Sequence, residues 1–361
     1  MLNTWRIVGL MSGTSLDGLD IAVCQFVENI NAANHWSFNI VAATTIPYDD
    51  SFKKELMSAY HSSAVDFKKM DYQFGKWCGE MVHNFLKTNN LTVDLIASHG
   101  HTVFHQPEAG ISVQLGSGAA LAAFTGIDTV CDFRALDVAK YGQGAPLVPV
   151  GDQLLFSEYE FCLNLGGIAN ISFVSNGKRI AYDVCPCNLP LNFLAQNIGC
   201  EYDANGLMAE RGKLIISLFD TLNTLDYYQK KYPKSLGFEW FGDVFLPYIS
   251  NNQFSIEDRL NTVCEHIAFQ ISKATNEFSP GKLLITGGGA FNGFLIEKIK
   301  SKSVHKIIVP NKNIVMFKEA LIFAFLGLLR YLGKNNTLKS VTGSNSDSCG
   351  GALYLGNREN Y

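Results

Sequence analysis

The stretch Gly9-Leu10-Met11-Ser12-Gly13-Thr14-Ser15-Leu16-Asp17-Gly18-Leu19-Asp20 decides how the rest of the chain is read. It follows the run Arg6-Ile7-Val8 and precedes Ile21-Ala22-Val23-Cys24, so two strands joined by a tight polar turn are expected. Gly9, Gly13 and Gly18 let the backbone come close to a ligand, and Ser12, Thr14 and Ser15 add hydroxyls to the free N–H groups of such a turn. That is the composition of a phosphate cradle, beside which Asp17 and Asp20 would hold Mg²⁺ or position a nucleophile. An ordinary Gly/Asp hairpin has the same composition, so both readings stay open on this segment alone.

A second pattern of the same kind follows at Phe161-Cys162-Leu163-Asn164-Leu165-Gly166-Gly167-Ile168-Ala169-Asn170-Ile171-Ser172-Phe173, again strand, Gly-rich turn, strand. Two such hairpins a domain length apart read as an internal duplication, with coincidence as the alternative because residue identity between them is weak. The strand Arg179-Ile180-Ala181-Tyr182 leads to Asp183, a carboxylate at a strand end that either points into a ligand crevice or caps the next helix. Further on, Lys282-Leu283-Leu284-Ile285-Thr286 runs into Gly287-Gly288-Gly289 and a helix starting near Asn292, where backbone approaches a nucleotide. No Walker sequence occurs, and Asn292 stands where the third glycine of a dinucleotide fingerprint belongs.

Between these hairpins, residues 51–90 carry apolar residues at helical spacing and read as two core helices. Val93 to Ser98 is a buried-type strand running into His99-Gly100-His101-Thr102-Val103-Phe104-His105, read as a polar ligand-contacting loop or as histidines bonding backbone, with zinc disfavoured for want of a fourth ligand. Arg134, leaving the strand Asp128 to Cys131, either forks onto a carboxylate or phosphate or pairs with Asp132 or Asp137. The Gly/Pro-rich run 142–151 is expected to cross between domains. Aromatic residues from Tyr227 to Phe241 read as core or subunit interface, with sugar stacking as a further use.

The chain of 361 residues exceeds one hydrophobic core, so two domains are expected, 1–133 and 134–361, the first completed by C-terminal residues. At 47% hydrophobic and 17% charged residues it reads as globular rather than disordered. A formal net charge of -4 gives no electrostatic footprint for nucleic acid or an anionic membrane. Met1-Leu2-Asn3-Thr4-Trp5-Arg6 lacks the features of a secretion signal, and the apolar helix Ala320 to Leu329 is too short to span a bilayer. Nine scattered cysteines fit reduced thiols and a cytoplasmic location, with Cys185 and Cys187 inert rather than metal-binding.

In order, Gly9 to Asp20, Ser98 to His105, Asp132 to Pro146, Asn164 to Ser172, Asp183 to Asn188, Gly287 to Gly293 and Lys318 to Ala320 resemble the anhydro-N-acetylmuramic acid kinases, over nearly the whole chain. Met11-Ser12-Gly13-Thr14-Ser15-Leu16-Asp17-Gly18 and Gly142-Gln143-Gly144-Ala145-Pro146-Leu147-Val148-Pro149 carry the resemblance most specifically. It implies an α/β protein of two ribonuclease-H-like lobes, related to actin, around a central cleft that holds ATP and an amino sugar. It also implies that ATP phosphorylates the sugar's 6-oxygen while water opens the 1,6-anhydro ring, and it suggests a homodimer. By the same resemblance Asp183 is the base, Thr102, Arg134 and Glu319 contact the sugar, and Gly9, Ser12, Gly13, Thr14, Ser15 and Asp17 hold phosphates together with Asn164, Gly166, Gly167 and Asn170. Gly287, Gly288, Gly289 and Asn292 lie near the nucleoside.

Three segments depart from the family pattern. Asp-Thr-Gly-Pro-Gly-Asn is here Asp183-Val184-Cys185-Pro186-Cys187-Asn188, and Pro-Lys-Ser-Thr-Gly-Arg-Glu is Pro233-Lys234-Ser235-Leu236-Gly237-Phe238-Glu239. Asn313 stands where the family tends to place an acid. If the lost glycines adopt positive φ, cysteine there adds strain of about 1 kcal/mol or more. Two alternatives to the family activity therefore stay open: a kinase for a different anhydro-sugar, and a non-catalytic sugar or nucleotide binder.

Overall fold

Three long runs near the N-terminus, the first two continuously apolar at their centres, form a meander of strands, β1 (Asn3–Ser12), β2 (Gly18–Glu28) and β3 (Trp36–Pro47), paired antiparallel. The computed structural model describes residues 3–13, 16–29 and 36–356. β4 (Leu95–Gln106) joins β1 in parallel, β5 (Ile111–Leu115) folds back on β4, and β6 (Thr129–Cys131) extends the sheet beyond β4. Residues 158–316 repeat the plan. There β7 (Phe161–Leu165), β8 (Ile168–Ser175) and β9 (Lys178–Pro186) form the meander, and β10 (Lys282–Thr286) and β11 (Lys306–Ile308) add in parallel. With β5 and the C-terminal strand of the first sheet set aside, the two sheets share one order, β3-β2-β1-β4-β6 and β9-β8-β7-β10-β11, in which the second strand runs antiparallel to the others, as in ribonuclease H. The expected likeness of the two hairpins is thus a likeness of whole topologies.

The chain divides into one unit of Met1–Ser157 with Phe317–Tyr361 and another of Glu158–Met316. The expected boundary near residue 133 and crossing at 142–151 are displaced to Ser157. The physical reason is buried Asp137, whose carboxylate accepts from the Gly144 N–H and the Thr342 hydroxyl and ties residues 135–144 to the C-terminal segment. Residues Val148–Leu155 then form a helix of the same unit. The C-terminal residues do complete this unit, since β12 (Ala352–Tyr354) pairs with β6.

Helix Lys312–Tyr331 breaks its helical geometry at Phe317, where the chain returns to the first unit. From Ala320 to Leu329 it is buried, as its composition predicts. Its backbone comes so near β1 that a Cβ on Gly9 would stand 1.9 Å from the Ala320 carbonyl oxygen. Gly9 therefore has a packing reason of its own. The two helices expected over residues 51–90 are Asp50–Ser58 and Ala64–Thr88, and their apolar faces build this unit's core with β1, β2 and β4.

The second unit's core centres on helix Ile256–Thr275, packed over the sheet with Tyr227, Tyr228, Phe241 and Phe245. Most of the aromatic run is thus core, although Phe238 is 67% exposed. Among the described residues no helix is long and apolar enough to cross a membrane.

Candidate active site

In the first unit the polar turn between β1 and β2 closes with the Leu16 N–H donating to the Gly13 carbonyl, and Leu16 takes φ +59°. Thr14 and Ser15 lie outside the described residues. Ser12 is buried at the end of β1, accepting from the Tyr48 hydroxyl at 2.8 Å and bonded to His101 Nδ1 at 3.1 Å. Its hydroxyl is thereby held in the fold. Asp17 is exposed. Asp20, on β2, accepts from the Thr45 hydroxyl at 2.6 Å, and burial together with Asp17 raises its carboxyl above the usual range despite that bond.

The residues expected to form a loop, 99–105, are instead the outer half of β4, paired with β5. Gly100 at φ +74° bends the strand, and each histidine is engaged within the unit, His99 with Arg134, His101 with Ser12 and His105 with Ser112. Thr102 sits half-buried in the same strand, next to Gln114. Arg134 bonds neither Asp132 nor Asp137. Its Nη2 and Nε donate to His99 Nε2 at 2.7 and 3.3 Å, and Nη1 donates to the Gly144 carbonyl at 2.6 Å. Burial lowers the Arg134 pKa to about 10, and Glu319 counteracts this.

Glu319 follows Lys318, which forms a buried ion pair with Asp152 at 2.7 Å and so pins the start of the helix after its break. The Glu319 side chain reaches solvent, yet desolvation by surrounding protein raises its carboxyl, Asp20 adds to this, and Lys318 and Arg134 oppose it. Asp20, Arg134 and Glu319, far apart in sequence, therefore form one electrostatic group. Among the described residues no three His, Cys, Asp or Glu side chains converge as a metal cage. Asp17 lies close enough to Asp20 to raise its carboxyl, which makes this pair the candidate for Mg²⁺, an ion that takes one or two carboxylates completed by phosphates and water.

In the second unit the Gly166-Gly167 turn is braced from behind. The N–H groups of Cys187 and Asn188 donate to Gly167 and Gly166, and Asn188 Nδ2 donates to the Leu165 carbonyl at 2.9 Å. Gly167 and Asn170 are exposed and Asn164 is half-buried. Gly287, at φ +83°, lies so close to Asn164 that a Cβ would meet its Oδ1 at 2.5 Å, so the two Gly-rich turns meet. Gly288 faces open space, its nearest neighbour being Asn188 Nδ2, whereas Gly289 packs on Leu165. Asn292 caps helix Gly293–Lys302, accepting from the Leu295 N–H at 2.9 Å.

Asp183 is half-buried on β9, beside a bulge at Ala169/Asn170 of β8. It caps no helix. Its Oδ2 accepts from the Leu236 N–H at 2.8 Å and its carbonyl from the Tyr227 hydroxyl at 2.5 Å, which fix the carboxylate's direction. Burial raises its pKa and the Leu236 bond opposes this. Cys185 and Cys187 point into the core, and burial pushes both thiols well up. Cys187 has φ -127°, and neither cysteine adopts positive φ, so the strain expected of the lost glycines is not found at the backbone. Tyr48, His99 and Leu236 bond Ser12, Arg134 and Asp183, and none of these pairings was expected from the sequence. Only His99 carried a signal, as a member of the histidine run.

Two copies of one α/β plan, each with a polar, Gly-containing turn between its first two strands, match the fold expected of a sugar kinase. The chain belongs to the anhydro-N-acetylmuramic acid kinase family, whose model matches residues 5–356. The anhydro-N-acetylmuramic acid kinase of Aliivibrio fischeri (strain ATCC 700601 / ES114) is 35% identical over 98% of this chain and 100% of its own length. That of Hydrogenovibrio crunogenus (strain DSM 25203 / XCL-2) is 34% identical over 96% and 97%. Among solved structures, the activator of the 2-hydroxyisocaproyl-CoA dehydratase from Clostridium difficile covers 91% of this chain at 13% identity with a TM-score of 0.43, too distant to add to the assignment.

Proposed function

We propose that this chain uses ATP to convert 1,6-anhydro-N-acetylmuramic acid into N-acetylmuramate 6-phosphate in cell-wall recycling. The observation that carries the reading is Asp183: directed by the Leu236 N–H and raised by burial, it has the basicity and fixed aim that a general base requires. Asp183 takes a proton from water as the water oxygen bonds the anomeric carbon. The bond from that carbon to oxygen 6 breaks, oxygen 6 takes the γ-phosphoryl group, and ADP departs. Each bond change assists the other, because the leaving oxygen of ring opening is the nucleophile of phosphoryl transfer.

Phosphoryl transfer depends mainly on positioning and charge neutralisation. Backbone N–H groups around Gly13, Thr14 and Ser15 and around Gly166, Gly167 and Asn170 are the proposed phosphate donors. Gly288 gives the nucleotide its closest backbone approach, while Gly9, Ser12, Gly287, Gly289 and Asn292 shape the turns. Asp17 and Asp20 are the residues that would hold Mg²⁺, which supplies charge neutralisation at the phosphates. Thr102, Arg134 and Glu319 hold the sugar. A cytoplasmic homodimer belongs to the same reading, supported by free cysteines throughout the described residues and by the family resemblance.

Mass spectrometry of a reaction with Mg-ATP and the anhydro-sugar tests the reading. Phosphorylated, ring-opened product is expected, and Asp183→Asn should lower its rate by ~10²–10⁴-fold; folded protein without product sinks the proposal. A second reading, a different anhydro-sugar, is favoured by exposed Phe238 where the family carries a cation. A panel of anhydro-sugars with and without the lactyl acid decides between them by kcat/KM.

A further inference from the structure

His99 takes no part in the chemistry above, yet it is buried against Arg134. Its Nδ1 lies 2.8 Å from the carbonyl oxygen of Gly100, which can only accept, so Nδ1 carries the proton. Nε2 is then a lone-pair acceptor, and it receives both Nη2 and Nε of Arg134. With Nη1 on the Gly144 carbonyl, three of the guanidinium's five N–H groups go to neutral acceptors. One N–H remains on each terminal nitrogen.

The surroundings keep the imidazole neutral. Phe323 packs 4.5 Å from its ring, and burial, followed by Arg134, lowers its pKa to about 3; His101 adds in the same direction. A carboxylate at this position would neutralise Arg134 in a tight pair, whereas a neutral imidazole orients the guanidinium and leaves its charge available.

We propose that His99 is a positioning residue for sugar binding, fixing the plane of Arg134 with its charge intact and its two remaining N–H groups available to the sugar. The inference rests on the reading of Arg134 as a sugar contact.

Steady-state kinetics of the full chain with Mg-ATP and anhydro-N-acetylmuramic acid test it. His99→Phe should raise the sugar KM ~10–100-fold through loss of the acceptor that aligns a charged donor, with the ATP KM unchanged. His99→Gln, whose Oε1 can replace Nε2 as acceptor, should return the sugar KM to within about fivefold of the parent. In an Arg134→Ala background, His99→Phe should add less than about twofold. An unchanged sugar KM in His99→Phe, no rescue by Gln, or a full additional loss in the Arg134→Ala background each overturns the inference. If Arg134→Ala leaves the sugar KM unchanged, the reading of Arg134 falls with it; if Arg134→Ala raises it and His99→Phe does not, only the role of His99 falls. Should His99→Phe not fold, ¹⁵N NMR of the parent protein decides: a neutral His99 bearing its proton on Nδ1 from about pH 5.5 to 9 supports the inference, and titration near the ordinary value of about 6.5 overturns it.

Discussion

Asp183 joins two properties that pull against each other. Burial makes its carboxylate a stronger base, and the same burial makes the ionised form costly to the fold. Because its pKa is raised on folding, the stability linked to this group is fully present below the unfolded value of about 3.9 and is lost as pH rises through the folded value. Asp183→Asn, which can keep the Leu236 bond through its amide oxygen, should therefore lose turnover while its melting temperature at pH 7 equals or exceeds the parent's. That advantage should fade in scans at progressively lower pH, and a variant clearly less stable at pH 7 would contradict the account. The acidic limb of the kcat/KM profile should likewise lie above the ordinary carboxylate range. Cys185 and Cys187 differ from reactive thiols by the same physics, since burial in the core disfavours their thiolates. A thiol-reactive dye should modify exposed Cys200 in the native protein and reach Cys185 and Cys187 only on unfolding.

At the scale of elements, the approach of helix Lys312–Tyr331, beyond its break at Phe317, to β1 sets the tightest constraint on the opening stretch. A Cβ at residue 9 has no space, because the atom in its path is backbone and cannot rotate aside. Gly9→Ala should cost ~3 kcal/mol as an overpacked contact, read as a lowered denaturant midpoint with unchanged m-value. A midpoint within error of the parent's would show that strand and helix separate easily. The glycine that opens the apparent phosphate motif thus answers first to helix–sheet packing. The family's glycines at positions 185 and 187 illustrate the converse. Cysteine is accommodated there because its side chain turns into the core and its backbone does not need positive φ.

For the whole molecule, the first unit is built from two separated pieces of chain. Removal of residues 317–361 would strip that unit of its buried helix and of β12, exposing the sheet face that carries Gly9, Leu95 and Ala97; the truncated protein should lose the near-UV circular dichroism and cooperative melting of this unit. A fragment that retained both would contradict the division. Much of this architecture was legible beforehand. The short apolar runs flanking the polar turns at Gly9–Asp20 and Asn164–Asn170 specified two hairpins, helical spacing over 51–90 specified two helices, and the ordered motifs specified the family. These are local signals, carried by strand and helix periodicity and by turn chemistry within a dozen residues. The domain boundary was misplaced because its cause, the tie of Asp137 to Thr342, joins residues remote in the chain. For the same reason, the bonds from Leu236 to Asp183, from Arg134 to His99 and from Tyr48 to Ser12 left no trace in local pattern. The sequence by itself determined most of the elements, their duplication and the family to which the chain belongs. Only the tertiary structure decided what directs the Asp183 carboxylate, what holds Arg134 and why residue 9 is glycine, because burial, desolvation and hydrogen-bond direction come into being only when distant segments pack.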